Sequence, residues 1–179
     1  MIKVGLTGNI GSGKSLAAKI FETLRVPVFY ADVEGKKILD RPEVRNEIAA
    51  IFGNDVVSNG TIIRPKLAEI VFADQAKLEK LNQIIHPAVR NHFMVWSEKQ
   101  KWPYVIYEAA ILHESGHYKN MDKIILVLAN EALRVQRVVQ RDKVSEEQVR
   151  SRMQNQWPQS EKEKLSDFVI NYKKFEQHT

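Results

Sequence analysis

Apolar residues along this chain follow two textures. Short continuous runs occupy residues 2–6, 26–32, 104–112, 123–129 and 168–170, and between them apolar positions recur at helical spacing. The runs "YVIYEAAIL" (104–112) and "KIILVLA" (123–129) are dominated by β-branched and other apolar residues, as strands covered on both faces are. Helical pattern follows the first run over 14–24 and returns over 131–141. Ser145-Glu-Glu-Gln148 has the form of a capping box, which predicts another helix opening there. Strands alternating with helices predict an α/β fold, a parallel sheet with helices on both faces.

From 33 to about 100 the pattern is almost wholly helical, too long for one crossover, and predicts an inserted helical subdomain on the substrate side. Its one interruption, "NDVVSNGTIIRP" (54–65), carries a turn signal at Asn59-Gly60. Within 75–100, Leu78, Leu81, Ile85 and Val89 form a stripe. His86-Pro87 predicts a break in it, because the residue before a proline avoids the helical region.

The length, 179 residues, suits a single domain, 1–179, with a sizeable core. With no cysteine, disulfides and thiolate metal sites are excluded. The opening "MIKVGLTGNI" is too short an apolar run for a secretory signal, and no later run reaches membrane-spanning length, so cytoplasm is the expected location. A formal charge of +5 admits polyanion binding, but the basic residues are scattered and no RNA-binding signature is present. The expectation is a phosphate-lined pocket for a small molecule, with no nucleic acid and no membrane as partner. Oligomeric state leaves no mark in the sequence.

Chemistry concentrates near the start. "GLTGNIGSGKS" places four glycines in residues 5–13, and Gly8-x-x-x-x-Gly13-Lys14-Ser15 satisfies the phosphate-loop pattern in full, with an apolar run before it and helical pattern after it. Glycines let the backbone curl so that its N–H groups point inward, and the new helix adds its positive end. Lys14 would reach the β- and γ-phosphates of a nucleoside triphosphate and Ser15 would offer its hydroxyl to Mg²⁺.

Two other motif matches carry less. Asp32-Val33-Glu34-Gly35 matches the D-x-x-G of GTPases, but no N-K-x-D sequence accompanies it. His113-Glu114-Ser115-Gly116-His117 matches H-E-x-x-H, yet Ser-Gly is a poor helix interior, so a strand-end loop is the better reading than a zinc site. Asp32 itself follows the second predicted strand, at the sheet edge where α/β folds bind ligands. There it either accepts a hydroxyl proton or caps the next helix. Arg134, Arg137 and Arg141, spaced by three and four, fall along one helical face, and Arg137 and Arg141 are the candidates for neutralising phosphate charge. Glu108 either holds a metal through water or makes a structural hydrogen bond.

Taken together, these residues resemble the dephospho-coenzyme A kinase family over nearly the whole chain. "VGLTGNIGSGKS" is similar to its phosphate loop, "YAD" (30–32) to its aspartate-bearing strand end, and "NGTIIRPKLAEIVF" and "LNQIIHPAV" to its acceptor-side helices, with Gly60, Arg64, Leu67, Phe72, His86 and Pro87 on the pattern. "AAILHE" resembles a proline-leucine-leucine-x-glutamate stretch ending at Glu114, "QRVVQRD" (136–142) the lid segment, and "SDFVIN" (166–171) the closing strand with Asp167 and Asn171. Asn9, Leu16 and Ala110 stand where the family commonly has glycine, threonine and proline. The sequence stops eight residues after Asn171, where relatives usually continue into another helix.

The resemblance implies a P-loop nucleotide-kinase-like three-layer fold with an acceptor-binding region at about 33–100 and a lid at about 134–156. It implies transfer of the γ-phosphoryl group of ATP to the ribose 3′-hydroxyl of dephospho-coenzyme A, with Mg²⁺. Asn9, Ile10, Gly11, Ser12, Gly13, Lys14, Ser15 and Leu16 would bind ATP, with Asn171 on its adenine side. Asp32 becomes the base or hydroxyl-orienting group, and Lys14, Arg137 and Arg141 take phosphate charge. The alternatives are another P-loop kinase acting on a nucleotide or small alcohol, and a non-catalytic ATP-binding protein.

Overall fold

The computed structural model describes residues 1–172. The chain divides into two compact units, one of residues 1–30 with the segment from 100 onward, the other of residues 31–99. The first holds a five-stranded sheet made of β1 (Ile2–Thr7), β2 (Val28–Tyr30), β5 (Tyr104–Glu108), β6 (Lys123–Ala129) and β7 (Phe168–Tyr172). Their order is β2-β5-β1-β6-β7, and every neighbouring pair is parallel. That is the parallel sheet the strand–helix alternation predicts.

Alternation along the strands sorts the two faces. Val4, Leu6, Ile106 and Val127 pack with Ala17 and Ala18 of α1 (Lys14–Thr23), and Ile170 and Tyr172 close the same cluster. The opposite face is covered in part by the turn-rich segment 109–121. Beside Gly5 it meets Leu112 and Met121, and Tyr107 meets the edge of the His117 ring at 4.7 Å.

Of the five predicted strands, β6 matches its apolar run residue for residue. The run at 104–112, by contrast, is strand only to Glu108. Register supplies the reason: Glu108 pairs with Leu6 on one side and Tyr30 on the other, and both flanking strands end within a residue of that level. Beyond it one last bond, from the Ala109 N–H to the Leu6 carbonyl at 3.1 Å, ends the ladder. Likewise β2 covers only 28–30, because at Ala31 the chain enters α2 (Ala31–Ile38).

The second unit contains α2, α3 (Pro42–Phe52), a two-residue hairpin of β3 (Val57–Ser58) and β4 (Thr61–Ile62), α4 (Arg64–Phe72) and α5 (Gln75–Glu98). The Asn59-Gly60 turn is where the sequence puts it, with φ of 48° and 75°, the left-handed pair that a tight hairpin requires. The predicted break at His86-Pro87 does not occur. α5 runs through Pro87. Pro87 and Gln83, whose carbonyl loses the intrahelical bond, are both exposed, so water can serve that carbonyl. Ile84, Val89 and Phe93 hold the inner face through the interruption.

After β6 come α6 (Glu131–Asp142), α7 (Glu146–Gln154) and α8 (Gln159–Lys164). The Ser145/Gln148 capping box forms in both directions. Asp167 fastens β7 to β6: its carboxylate accepts from the Lys123 ammonium and the Ile124 N–H, each at 2.8 Å, and its own N–H donates to the Ile124 carbonyl. Lys123 first, then the Ile124 N–H, holds the Asp167 carboxyl below its ordinary range. A depressed folded-state acid contributes stability that is present above the unfolded value and lost as pH falls. Asp167→Asn is therefore expected to be less stable than the parent at neutral pH, with the gap closing as pH drops below about 4. Urea melts across pH 3–7 check it, and a gap independent of pH refutes it. Among the described residues, no helix is long and apolar enough to cross a membrane.

Candidate active site

The phosphate loop spans the turn between β1 and α1. Gly11 and Gly13 have φ of 79° and 96°, and Gly13 caps α1 without a side chain to offer, so the helix begins on backbone alone. The Ser12 N–H donates to the Asn9 carbonyl at 3.0 Å, which closes the loop's tight bend. Ser15 and Leu16, in the first turn of α1, are exposed. A Cβ on Gly11 would collide with the backbone carbonyl of Arg134, so this glycine meets two demands, a left-handed φ and a close approach.

Gly116 separates those demands, since its φ is 70° but nothing lies within 4 Å of an added Cβ. Gly116→Ala is expected to cost about 1 kcal/mol, the left-handed penalty alone. Gly11→Ala is expected to cost roughly 2–3 kcal/mol more, as a backbone clash adds to it. Denaturant unfolding measures both, and equal losses would remove the close approach as a cause.

Lys14, the first residue of α1, pairs with Glu108 at the end of β5, with side chains only 12% and 5% exposed. Of the metal and the structural hydrogen bond that the sequence offered Glu108, the structure shows a hydrogen bond, with Lys14 as both donor and counter-charge. Arg137 of α6 donates from Nη1 to the carbonyls of Gly11 and Ser12 at 3.3 and 3.4 Å, and its guanidinium lies 5.7 Å from the Tyr172 ring centroid. Tyr172 also packs against Gly13. Tyr172, not its predicted neighbour Asn171, is thus the β7 side chain on the loop. Asn171 is exposed, pairs with Leu128, and lies on the other face of the strand.

The three predicted arginines do not share one environment. Arg134 is buried behind the loop, Arg137 touches it, and Arg141 at the end of α6 is exposed. Arg141 pairs with Asp142 through Nε at 2.7 Å, and Arg152 of α7 pairs with the same carboxylate at 2.9 Å. The Arg141 hydrogen bond comes first among the causes that hold Asp142 below its ordinary range.

Residues 154–160 brace the loop from behind, which no sequence motif announced. Asn9 Nδ2 donates to the Trp157 carbonyl at 3.0 Å and the Ile10 N–H to Gln156 Oε1 at 2.8 Å. Trp157 N–H in turn donates to Glu114, which pairs with the fully buried Lys162 at 2.7 Å. Glu114 therefore anchors the loop's support. The H-E-x-x-H segment is turns rather than helix. His113 packs beside Tyr118 and Trp157, and burial lowers its pKa, with Lys162 adding to the effect.

Asp32 opens the other unit as the second residue of α2, exposed, with Glu34 in the same first turn. Because the helix already begins at Ala31, Asp32 is not its cap; its charge sits inside the first turn, where the macrodipole favours it. Within this unit Asp40 accepts from the Ile62 N–H and from Arg64, both at 2.9 Å. The Ile62 N–H first, then Arg64, holds its carboxyl below the ordinary range. Arg64 also donates to the Lys36 carbonyl. Burial, helped by Arg90, pushes His86 down, so it is neutral at pH 7.

Known proteins are similar to this chain along nearly its whole length. The family model described as dephospho-CoA kinase matches residues 2–176. A dephospho-CoA kinase from Bacteroides fragilis is 40% identical over 171 residues, covering 94% of this chain and 83% of that protein. A crystal structure of a Thermus thermophilus protein superposes with a TM-score of 0.87 at 33% identity, covering 96% of this chain and 88% of that one. The dephospho-CoA kinase from Campylobacter jejuni gives 0.68 at 29% identity, covering 95% and 87%. With a family model spanning almost every residue and the phosphate loop intact, the chain belongs to the dephospho-CoA kinase family.

Proposed function

We propose that this chain transfers the γ-phosphoryl group of ATP to the ribose 3′-hydroxyl of dephospho-CoA, releasing ADP and forming CoA, in the cytoplasm. The bond from the γ-phosphorus to the bridging oxygen breaks, the O3′–P bond forms, and the hydroxyl proton passes to the Asp32 carboxylate. The observation that carries the phosphate half of this reading is the loop: left-handed Gly11 and Gly13, a glycine-capped α1, and Lys14 and Arg137 beside it. Such a turn presents backbone N–H groups and a helix end to an anion.

Each cation has a distinct task. Lys14 has three N–H donors, so it can serve a phosphate oxygen while Glu108 keeps it oriented. Arg137 is fixed on the loop's carbonyls and offers its remaining N–H groups to phosphate. Arg141 belongs to the 134–156 segment, which we assign as the lid, and Asp142 holds its guanidinium ready to be handed to the transferring group. Residues 33–100 supply the acceptor side. Asn9, Ile10, Ser12, Ser15 and Leu16 complete the ATP-binding loop, and Tyr172, beside Gly13 and Arg137, is the β7 side chain that would face the nucleotide.

A metal also fits here. Ser15 presents an exposed hydroxyl, and among the described residues no group of three or more His, Asp or Glu could hold a metal alone. An ion at Ser15 would draw most of its ligands from phosphate and water, which suits Mg²⁺. When bound, it would neutralise charge on the β- and γ-phosphates.

ADP release with Mg-ATP and a panel of dephospho-CoA, AMP, adenosine, shikimate and gluconate tests the reading. Turnover with dephospho-CoA alone is the expected result. Turnover of another acceptor would keep the loop chemistry and overturn the acceptor.

A further inference from the structure

Behind the phosphate loop lies a cleft of about 580 Å³ between α6, α7 and the 154–160 segment, lined by Asn9, Arg134, Arg150, Met153, Trp157 and their neighbours. Its charges are paired except for Arg134, which is attracted by Glu131 without a hydrogen bond to it. Arg150 bonds Glu131 and Glu146, each at 2.7 Å, and Lys162 below it bonds Glu114. Arg134 is 4% exposed, and neither its Nε nor its Nη1 has a hydrogen-bond partner among the described residues. The Oδ1 of Asn9, a residue 6% exposed, is likewise without one. A guanidinium cannot shed its charge at any accessible pH, so burial without a partner calls for an anion. Desolvation lowers the Arg134 pKa, and the attraction of Glu131 opposes this without cancelling it.

We propose that this cleft is a second ligand site, taking a small organic anion whose carboxylate or phosphate meets Arg134 and whose planar or apolar remainder lies on Trp157 and Met153. A hydroxyl or N–H on that ligand would donate to Asn9 Oδ1. The site is separate from Lys14 and Ser15, yet it shares a wall with the catalytic loop. The Asn9–Trp157 and Ile10–Gln156 hydrogen bonds join the segment that floors the cleft to the loop's backbone. Occupancy is thereby linked to loop position, which makes the cleft a regulatory site in its chemistry.

The test is an NMR titration of the protein saturated with ADP, so that the catalytic loop is filled, using phenyl phosphate and 4-hydroxybenzoate as probes. The Trp157 indole N–H, assigned by its loss in Trp157→Phe, is expected to shift saturably with at least one probe. Affinity should be at least about tenfold weaker in Arg134→Gln, as loss of a charge-assisted hydrogen bond implies. The tighter of the two probes identifies the headgroup as phosphate or carboxylate. No saturable shift with either probe, or equal affinity in Arg134→Gln, overturns the proposal. Should Arg134→Gln fail to fold, Arg134→Lys replaces it: weaker binding through loss of the planar fork supports the site, and unchanged binding overturns it.

Discussion

Lys14→Met is expected to lower kcat with ATP by about 10³-fold and to destabilise the fold by roughly 3–5 kcal/mol, through two different causes. The activity loss follows from removing a charge that acts on the β- and γ-phosphates, where little covalent chemistry is left for the protein to do. The stability loss follows from Glu108, 4% exposed, whose carboxylate loses its counter-charge. That second effect has a pH signature. An unpaired buried carboxyl titrates higher in the folded state than in the unfolded one, so its cost is absent in acid and appears as pH rises above the unfolded value. Protonation caps the cost above the folded value.

Lys14→Met/Glu108→Gln separates the causes. Replacing both members of a buried pair is often close to neutral, so this double variant should recover stability to within about 1 kcal/mol of the parent. It should recover no activity. Urea melts at pH 4.5 and 7.5, beside steady-state ADP release, give all four numbers. Recovered turnover in the double variant would mean that Lys14 serves only to neutralise Glu108.

The same pair shows where sequence reading stops. The phosphate loop is legible because its backbone demands are written as glycines at fixed spacing, and a short apolar run before it and a helix after it complete the context. That Lys14 meets Glu108, 94 residues away, is not legible, because pairing across a sheet follows from strand order. Strand order also explains β5: its apolar run continues to Leu112, but its ladder ends with its neighbours at Glu108. In α5 the local rule against an internal proline is real and is outweighed by Ile84, Val89 and Phe93 on the inner face. The arginine spacing placed three residues on one helix face, while their separation into buried, loop-bound and exposed depends on what packs along that face. Gln156 and Trp157 had no signal at all, since a hydrogen bond between one residue's side chain and a distant residue's backbone leaves no periodicity behind.

Asp32→Asn is expected to lower kcat by about 10²–10⁴-fold while leaving the KM for ATP close to that of the parent. The substitution keeps shape and removes only the capacity to take a proton, so binding of the nucleotide, which is assigned to the loop, should be untouched. Stability supplies the control. Asp32 is exposed in the first turn of α2, where its negative charge favours the helix end by about 0.3–1 kcal/mol. If that is the residue's whole task, the variant loses this small amount of stability and turns over dephospho-CoA at the parent rate. If Asp32 is the base, the same small stability loss accompanies a collapse in kcat. The helix-end role and the proton-accepting role are compatible in one carboxylate, so the stability loss is common to both readings. Only the rate tells them apart, and a variant that keeps more than about a tenth of the parent kcat would remove Asp32 from the reaction.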